Sequence, residues 1–214
     1  MSIDCKRRWL TLSTVCASLA LPFASWSASV PGILVVGDSL SAEYGLARGT
    51  GWVALLTARL QKQNWSGVVT NASISGDTTA EGLTRLPALL SQHQPKVVLI
   101  ELGANDALRG LSLKASTDNL NRMVELCQAK GAKVVLIGMR VPPNYGKRYT
   151  DEFAEMFTHV SKNKKTALVP FLLKGVADRQ DARDWFQSDG NHPLAKAHPI
   201  ILDNVWAVLQ PLLR

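Results

Sequence analysis

The stretch that decides the fold is Ile33-Leu34-Val35-Val36-Gly37-Asp38-Ser39, an apolar run that stops at a glycine and gives way to an acid and a serine. Apolar residues in unbroken succession, without polar alternation, read as a strand buried on both faces, as in a parallel sheet. The polar residues beyond it then sit at the carboxyl end of that strand. There Ser39 is either a turn residue or a nucleophile held out from the sheet, and the stretch by itself fits both.

Outward from this run the chain alternates. Short apolar runs recur at Val68 to Ala72, Val97 to Leu102, Val134 to Ile137 and Leu168 to Phe171. Between them lie segments with helical spacing: Gly51 to Leu60, Thr78 to Leu90 behind a capping box, Leu113 to Lys130 closed by Gly131, and Thr150 to Lys165. A last helix is expected from Pro193 to Leu209, with the proline at its start. Five apolar runs that alternate with amphipathic helices predict an α/β domain, a three-layer α/β/α sandwich around a parallel sheet of about five strands. In such sheets ligands collect beyond the carboxyl ends of the strands. Ser39, the segment Asn71 to Gly76 and the segment Gly103 to Asp106 are therefore expected on one edge.

A serine nucleophile needs a base, and the base needs an orienting partner. Of the four histidines, His93 falls in a polar connection, and His159 and His198 fall within expected helices. His192 differs, because Pro193 pushes it into extended backbone. Asp189 lies three residues before it, across the flexible Gly190, close enough to meet the imidazole Nδ1 and leave Nε2 free. The same four residues also suit a plain Asx turn, and spacing alone does not separate the two. Donors for an oxyanion are available in Gly76, which lets its N–H approach closely, in the Asn105 amide, and in the Ser39 N–H.

Taken together, Gly37-Asp38-Ser39-Leu40, Gly76, Gly103-Ala104-Asn105-Asp106 and Asp189-Gly190-Asn191-His192-Pro193 resemble, in order, the four blocks of the SGNH or GDSL hydrolases. Asn71 to Thr78, Leu86 to Leu90 and Pro143 to Tyr149 are similar to the periplasmic thioesterase, lysophospholipase and arylesterase subgroup of that family. The resemblance implies a flavodoxin-like fold and hydrolysis of acyl esters or thioesters without metal or cofactor. It implies Ser39 as nucleophile, His192 as general base and then acid, and Asp189 as the orienting acid. It also implies an oxyanion hole from the Ser39 and Gly76 N–H groups and the Asn105 side chain. Leu108, Leu111 and Val141 are expected to line the acyl pocket. Two positions depart from the family pattern: Glu43 and Ala104 stand where relatives often carry glycine. Related readings are a carbohydrate acetylesterase with the same blocks, and a non-catalytic acyl-chain binder.

The remaining features bound the setting. Lys6, Arg7 and Arg8 precede an uncharged apolar stretch from Trp9 to Ala24, and Ser25-Trp26-Ser27 offers a small-x-small cleavage site. Residues 1–27 therefore read as a signal peptide, and residues 28–214 as one hydrolase domain that is periplasmic or secreted. Cleavage would leave Cys127 alone, in an apolar helical position that suits a buried thiol. The first 27 residues carry Asp4 against Lys6, Arg7 and Arg8, a net +2, so about +5 of the overall +7 belongs to the remainder. The basic residues form no stripe interleaved with aromatics, so nucleic acid is not an expected partner. Mild attraction to lipid is compatible with this charge, and a monomer is expected. No G-x-S-x-G elbow, dinucleotide fingerprint, P-loop or metal-ligand histidine spacing is found. An acid at Asp38 disfavours a phosphate loop after the first strand.

Overall fold

A computed structural model describes residues 32–213. The expected signal segment 1–27, with Cys5 and Cys16, lies outside the described residues.

Five strands form one parallel sheet: β1 (Gly32–Gly37), β2 (Val68–Asn71), β3 (Val97–Glu101), β4 (Lys133–Ile137) and β5 (Ala167–Val169), in the order β2-β1-β3-β4-β5. Gly37 pairs with Glu101, so β1 and β3 end level, while β2 ends at Asn71, opposite Val35. Every residue of β3 is buried, as are five of the six in β1. This explains why these strands read as unbroken apolar runs. The edge strands β2 and β5 are only partly covered.

Six helices complete the layers: α1 (Trp52–Lys62), α2 (Thr79–His93), α3 (Ala104–Leu108), α4 (Leu113–Ala129), α5 (Lys147–Lys164) and α6 (His198–Leu209). On one face of the sheet α1 packs on α6. On the other, α4 lies between α2 and α5. Trp52, Leu56, Leu86, Leu120, Phe153, Phe157 and Val205 are buried between helices and sheet. Full burial of each large aliphatic contributes about 1.5–3 kcal/mol. Cys127 belongs to this core, and burial pushes its thiol up to about 12. The capping box that opens α2 is formed: Thr78 Oγ1 accepts from the Glu81 N–H, and Glu81 Oε2 accepts from the Thr78 N–H at 2.7 Å.

Two elements differ from the sequence reading. The last helix begins at His198 rather than Pro193, with Pro199 as its early proline. The backbone at Pro193 instead pairs with Phe186, and the Leu194 N–H donates to the Trp185 carbonyl at 2.8 Å. This pairing holds residues 185–194 as a compact loop. The second element, α3, is too short for its periodicity to register.

Candidate active site

The order β2-β1-β3-β4-β5 reverses direction between β1 and β3. Ligands bind at such a switch point, beyond the carboxyl ends of the strands. Ser39 leaves β1 and Asn105 leaves β3, on either side of this crevice.

The loop 187–193 reaches over the same edge. Asp189 Oδ1 accepts the N–H groups of Asn191 (2.9 Å) and His192 (3.1 Å), which is the Asx-type turn. Its other oxygen, Oδ2, lies 2.6 Å from His192 Nδ1. One carboxylate thus makes both the turn and the contact with the imidazole. His192 Nε2 stands 2.9 Å from Ser39 Oγ. With the proton on Nδ1, the ring donates to Asp189 and accepts the serine hydroxyl. The hydrogen bond from His192, more than any other contact, holds the Asp189 carboxyl down at about 2. The Tyr44 ring lies against the imidazole, with centroids 4.4 Å apart, and covers one face of it.

The expected oxyanion donors converge from three loops. The N–H groups of Ser39 and Gly76 have no protein acceptor among the described residues, so both are free to donate. Gly76 has φ +87°, a conformation that a side chain disfavours. Its carbonyl accepts from Arg109 Nη2 at 2.7 Å, which anchors the following Gly76–Asp77 peptide. Asn105 Nδ2 donates to the Asp77 carbonyl at 2.9 Å and to Asp38 Oδ2 at 3.2 Å. Asn105 is in the first turn of α3, whose N-cap Gly103 has φ +117°. The adjacent Asp106, buried, accepts from the Thr79 N–H and hydroxyl and from Ser116 Oγ at 2.9 Å, and so pins α3 to α2 and α4.

Beneath the serine runs a buried polar network that sequence reasoning missed. Glu101, the last residue of β3, is fully buried. Its Oε2 accepts from Ser41 Oγ at 2.7 Å and from the Asp38 N–H at 3.4 Å. Trp52 Nε1 donates to Ser41 Oγ at 3.2 Å, and the Trp52 N–H donates to His198 Nδ1 at 3.0 Å. No cation pairs with Glu101 within 4 Å, and Oε1 has no partner among the described residues. Burial, reinforced by neighbouring Asp38, pushes the Glu101 carboxyl well above the usual carboxylate range. Burial likewise raises Asp38 to about 6. A lone acid that closes the apolar run Val97-Val98-Leu99-Ile100-Glu101 was the available signal.

Arg85 is the second residue missed. From α2 it donates through Nε to Asp77 Oδ2 at 2.7 Å, through Nη1 to the Ala72 carbonyl, and through Nη2 to the Gly37 carbonyl at 3.4 Å. It ties together the ends of β1 and β2 and the residue after Gly76.

A cleft of about 1060 Å³ opens beside Ser39. Leu108 and Val141 line it. Leu111 does not, because it lies half-exposed beyond the end of α3. Met139, Phe171 and Leu173 supply apolar wall that the sequence reading did not name.

Residues 35–200 match the GDSL-like lipase/acylhydrolase family. The chain belongs to that family. It is 49% identical to the esterase TesA of Pseudomonas aeruginosa over 91% of this chain and 96% of that protein. It is 41% identical to the thioesterase 1/protease 1/lysophospholipase L1 of Escherichia coli K12 over 87% of this chain and 86% of that protein. A crystal structure of TesA superposes with a TM-score of 0.81 at 50% identity, covering 85% of this chain and 99% of that one. The α/β/α sandwich is thus the fold of this GDSL family, with Ser39 in the motif that names it.

Proposed function

We propose that this GDSL-family protein is an exported carboxylic ester hydrolase that forms an acyl-enzyme on Ser39. The observation that carries the reading is the continuous contact from Ser39 Oγ to His192 Nε2 (2.9 Å) and from His192 Nδ1 to Asp189 Oδ2 (2.6 Å), at the mouth of a largely apolar cleft. Ser39 attacks the acyl carbonyl as His192 takes its proton. Asp189 keeps the ring oriented and stabilises the imidazolium. The oxyanion gathers the Ser39 and Gly76 N–H groups, and Asn105 turns one amide hydrogen from Asp38 toward it. His192 then protonates the leaving alcohol or thiol, and activates a water that attacks the acyl carbonyl and frees the serine.

The relatives are named esterase, thioesterase and lysophospholipase, which supports esters, acyl thioesters and lysophospholipids as the substrate classes. The apolar wall of Leu108, Met139, Val141, Phe171 and Leu173 supports an acyl chain longer than acetyl, against the carbohydrate acetylesterase reading. A complete serine–histidine–aspartate array disfavours a mere acyl-chain binder. Export rests on the sequence of residues 1–27, and action as a monomer with transient lipid contact completes the reading.

The test is a panel of esters, thioesters and lysophospholipids over a chain-length series, with Ser39→Ala as control. The expected result is a maximum kcat/KM at medium chains that vanishes in the variant. A maximum at acetyl would overturn the chain-length reading, and equal rates in Ser39→Ala would overturn the mechanism.

A further inference from the structure

We propose that Tyr44, clamped by Gln187, is a positioning residue that holds the His192 ring in place while an acyl group occupies Ser39. The inference rests on the ester-hydrolase reading, and gives a part in it to two residues outside the serine–histidine–aspartate array.

Before attack the imidazole is tied at both nitrogens, Nδ1 to Asp189 Oδ2 and Nε2 to Ser39 Oγ. Acylation cuts the second tie. Ser39 Oγ becomes an ester oxygen with no proton to donate. Nε2 has passed its own proton to the leaving group and has none to give in return. Hydrolysis of the acyl-enzyme still needs that nitrogen in place. Water attacks the acyl carbon as its proton moves to Nε2, and the proton goes on to Oγ when the C–Oγ bond breaks. Through this half of the cycle Asp189 alone holds the ring by hydrogen bonding. The Asp189 side chain is 38% exposed, so water competes for that bond.

One further contact does not depend on the serine proton. The Tyr44 ring packs on the imidazole with 4.4 Å between centroids and 38° between planes. Such packing opposes rotation of the imidazole away from the acyl carbon. Tyr44 lines no part of the cleft, so it meets His192 rather than the acyl chain. The ring is half-exposed, and its hold on His192 therefore depends on how its backbone is fixed. The Tyr44 N–H donates to the Ser39 carbonyl at 3.3 Å. The Tyr44 carbonyl accepts from Gln187 Nε2 at 2.9 Å, and the same nitrogen donates to the Pro193 carbonyl at 3.3 Å. The Gln187 N–H donates to the His192 carbonyl at 2.7 Å. Gln187 thus grips the backbone of Tyr44, His192 and Pro193 at once, and sets the spacing of the two rings. Gly45 makes room for this grip, because a Cβ there would collide with Gln187 Oε1.

The test is acid-quenched turnover of saturating p-nitrophenyl butyrate, with the acylated fraction of the protein read by intact mass. The deacylation rate is kcat divided by that fraction, and the acylation rate is kcat divided by the remainder. Tyr44→Leu keeps an apolar cover but loses the aromatic ring. It lowers deacylation about two- to tenfold and acylation by less, so the acylated fraction rises. Tyr44→Phe keeps the ring and matches wild type. Gln187→Met has similar length but no donor, and also slows deacylation. Tyr44→Leu/Gln187→Met falls no further than Tyr44→Leu, because Gln187 acts through that ring. Unchanged deacylation in Tyr44→Leu overturns the proposal. So does an equal loss in both steps, which marks a general loosening, or a Tyr44→Phe as slow as Tyr44→Leu. Additive losses in the double variant overturn the part given to Gln187. A wild type that neither turns over the ester nor gains mass overturns the hydrolase reading, and this inference with it.

Discussion

The turn that carries Ser39 and the loop that carries His192 meet across 2.9 Å, yet they are built by opposite means. Around Ser39 the polar groups are buried and answered from far along the chain. Glu101 meets Ser41 and Asp38 from 60 or more residues away, and Trp52 and Arg85 reach in from helices. Around His192 nearly every partner is local. Asp189 holds three groups within three residues of itself, and the Gln187 N–H donates to the His192 carbonyl at 2.7 Å. The side chains there remain partly open to water, 22% for His192 and 38% for Asp189. One long-range bond crosses over, from Gln187 Nε2 to the Tyr44 carbonyl at 2.9 Å. Ser39 is thus held by the folded core, and His192 by its own short loop.

Substitutions sharpen this contrast. Asp189→Asn keeps the loop but inverts the hydrogen-bond preference toward Nδ1. It should lower kcat by about 10²–10⁴, with water access at this exposed carboxylate setting the lower end. The wild-type Asp189 carboxyl, held near 2, contributes stability that is present above the ordinary aspartate range and fades as pH falls toward 2. Thermal unfolding from pH 2 to 5 should show the difference between wild type and Asp189→Asn shrinking at the acid end. A constant difference would mean that the ion pair adds nothing.

Asn105→Ala removes a donor whose place is fixed by the core. It should reduce kcat by about 10²–10³ with little change in KM. A kcat within error of wild type would take Asn105 out of the oxyanion hole.

Glu101→Gln tests the buried end of the comparison. The folded protein holds the Glu101 proton to higher pH than the unfolded chain, which releases it at the ordinary glutamate pKa. Native protein then binds more protons than unfolded, so wild-type stability falls as pH rises past this point, by up to about 1.4 kcal/mol per pH unit. Gln carries no such proton. The variant should match wild type near pH 4 in urea unfolding and exceed it at pH 8. Parallel curves would show an ionised Glu101.

The smallest effect concerns Glu43, which has φ +59°, in the left-handed region that favours glycine. Its Oε1 accepts the N–H groups of Gly49 (3.0 Å) and Gly51 (2.8 Å), and so secures the entry to α1. Glu43→Gly exchanges strain for lost hydrogen bonds, and should stay within about 1 kcal/mol of wild type. Glu43→Ala keeps the strain and loses the bonds, and should cost about 1–3 kcal/mol. Equal melting temperatures for the two variants would contradict this account of the departure from glycine.

The same contrast explains what the sequence made readable. Strands β1 and β3 announce themselves because burial on both faces demands unbroken apolar residues. Asp189 and His192 stand out because their geometry is local, three residues and one proline. Glu101, Arg85 and Trp52 were not readable as partners of the serine turn, since only the sheet order brings them together. The start of α6 was misplaced for a related reason. Two prolines could each open that helix, and the pairing of Pro193 with Phe186 leaves the role to Pro199. Leu111 falls outside the cleft lining because α3, unforeseen, carries it past the cleft.

The central claim is that Ser39 becomes acylated. Intact-mass and peptide-mass analysis after reaction with a fluorophosphonate probe tests it most directly. The account predicts one adduct per chain, on Ser39, absent from Ser39→Ala and strongly slowed in His192→Ala. An adduct that persists in Ser39→Ala, or a wild type that does not react, would contradict it.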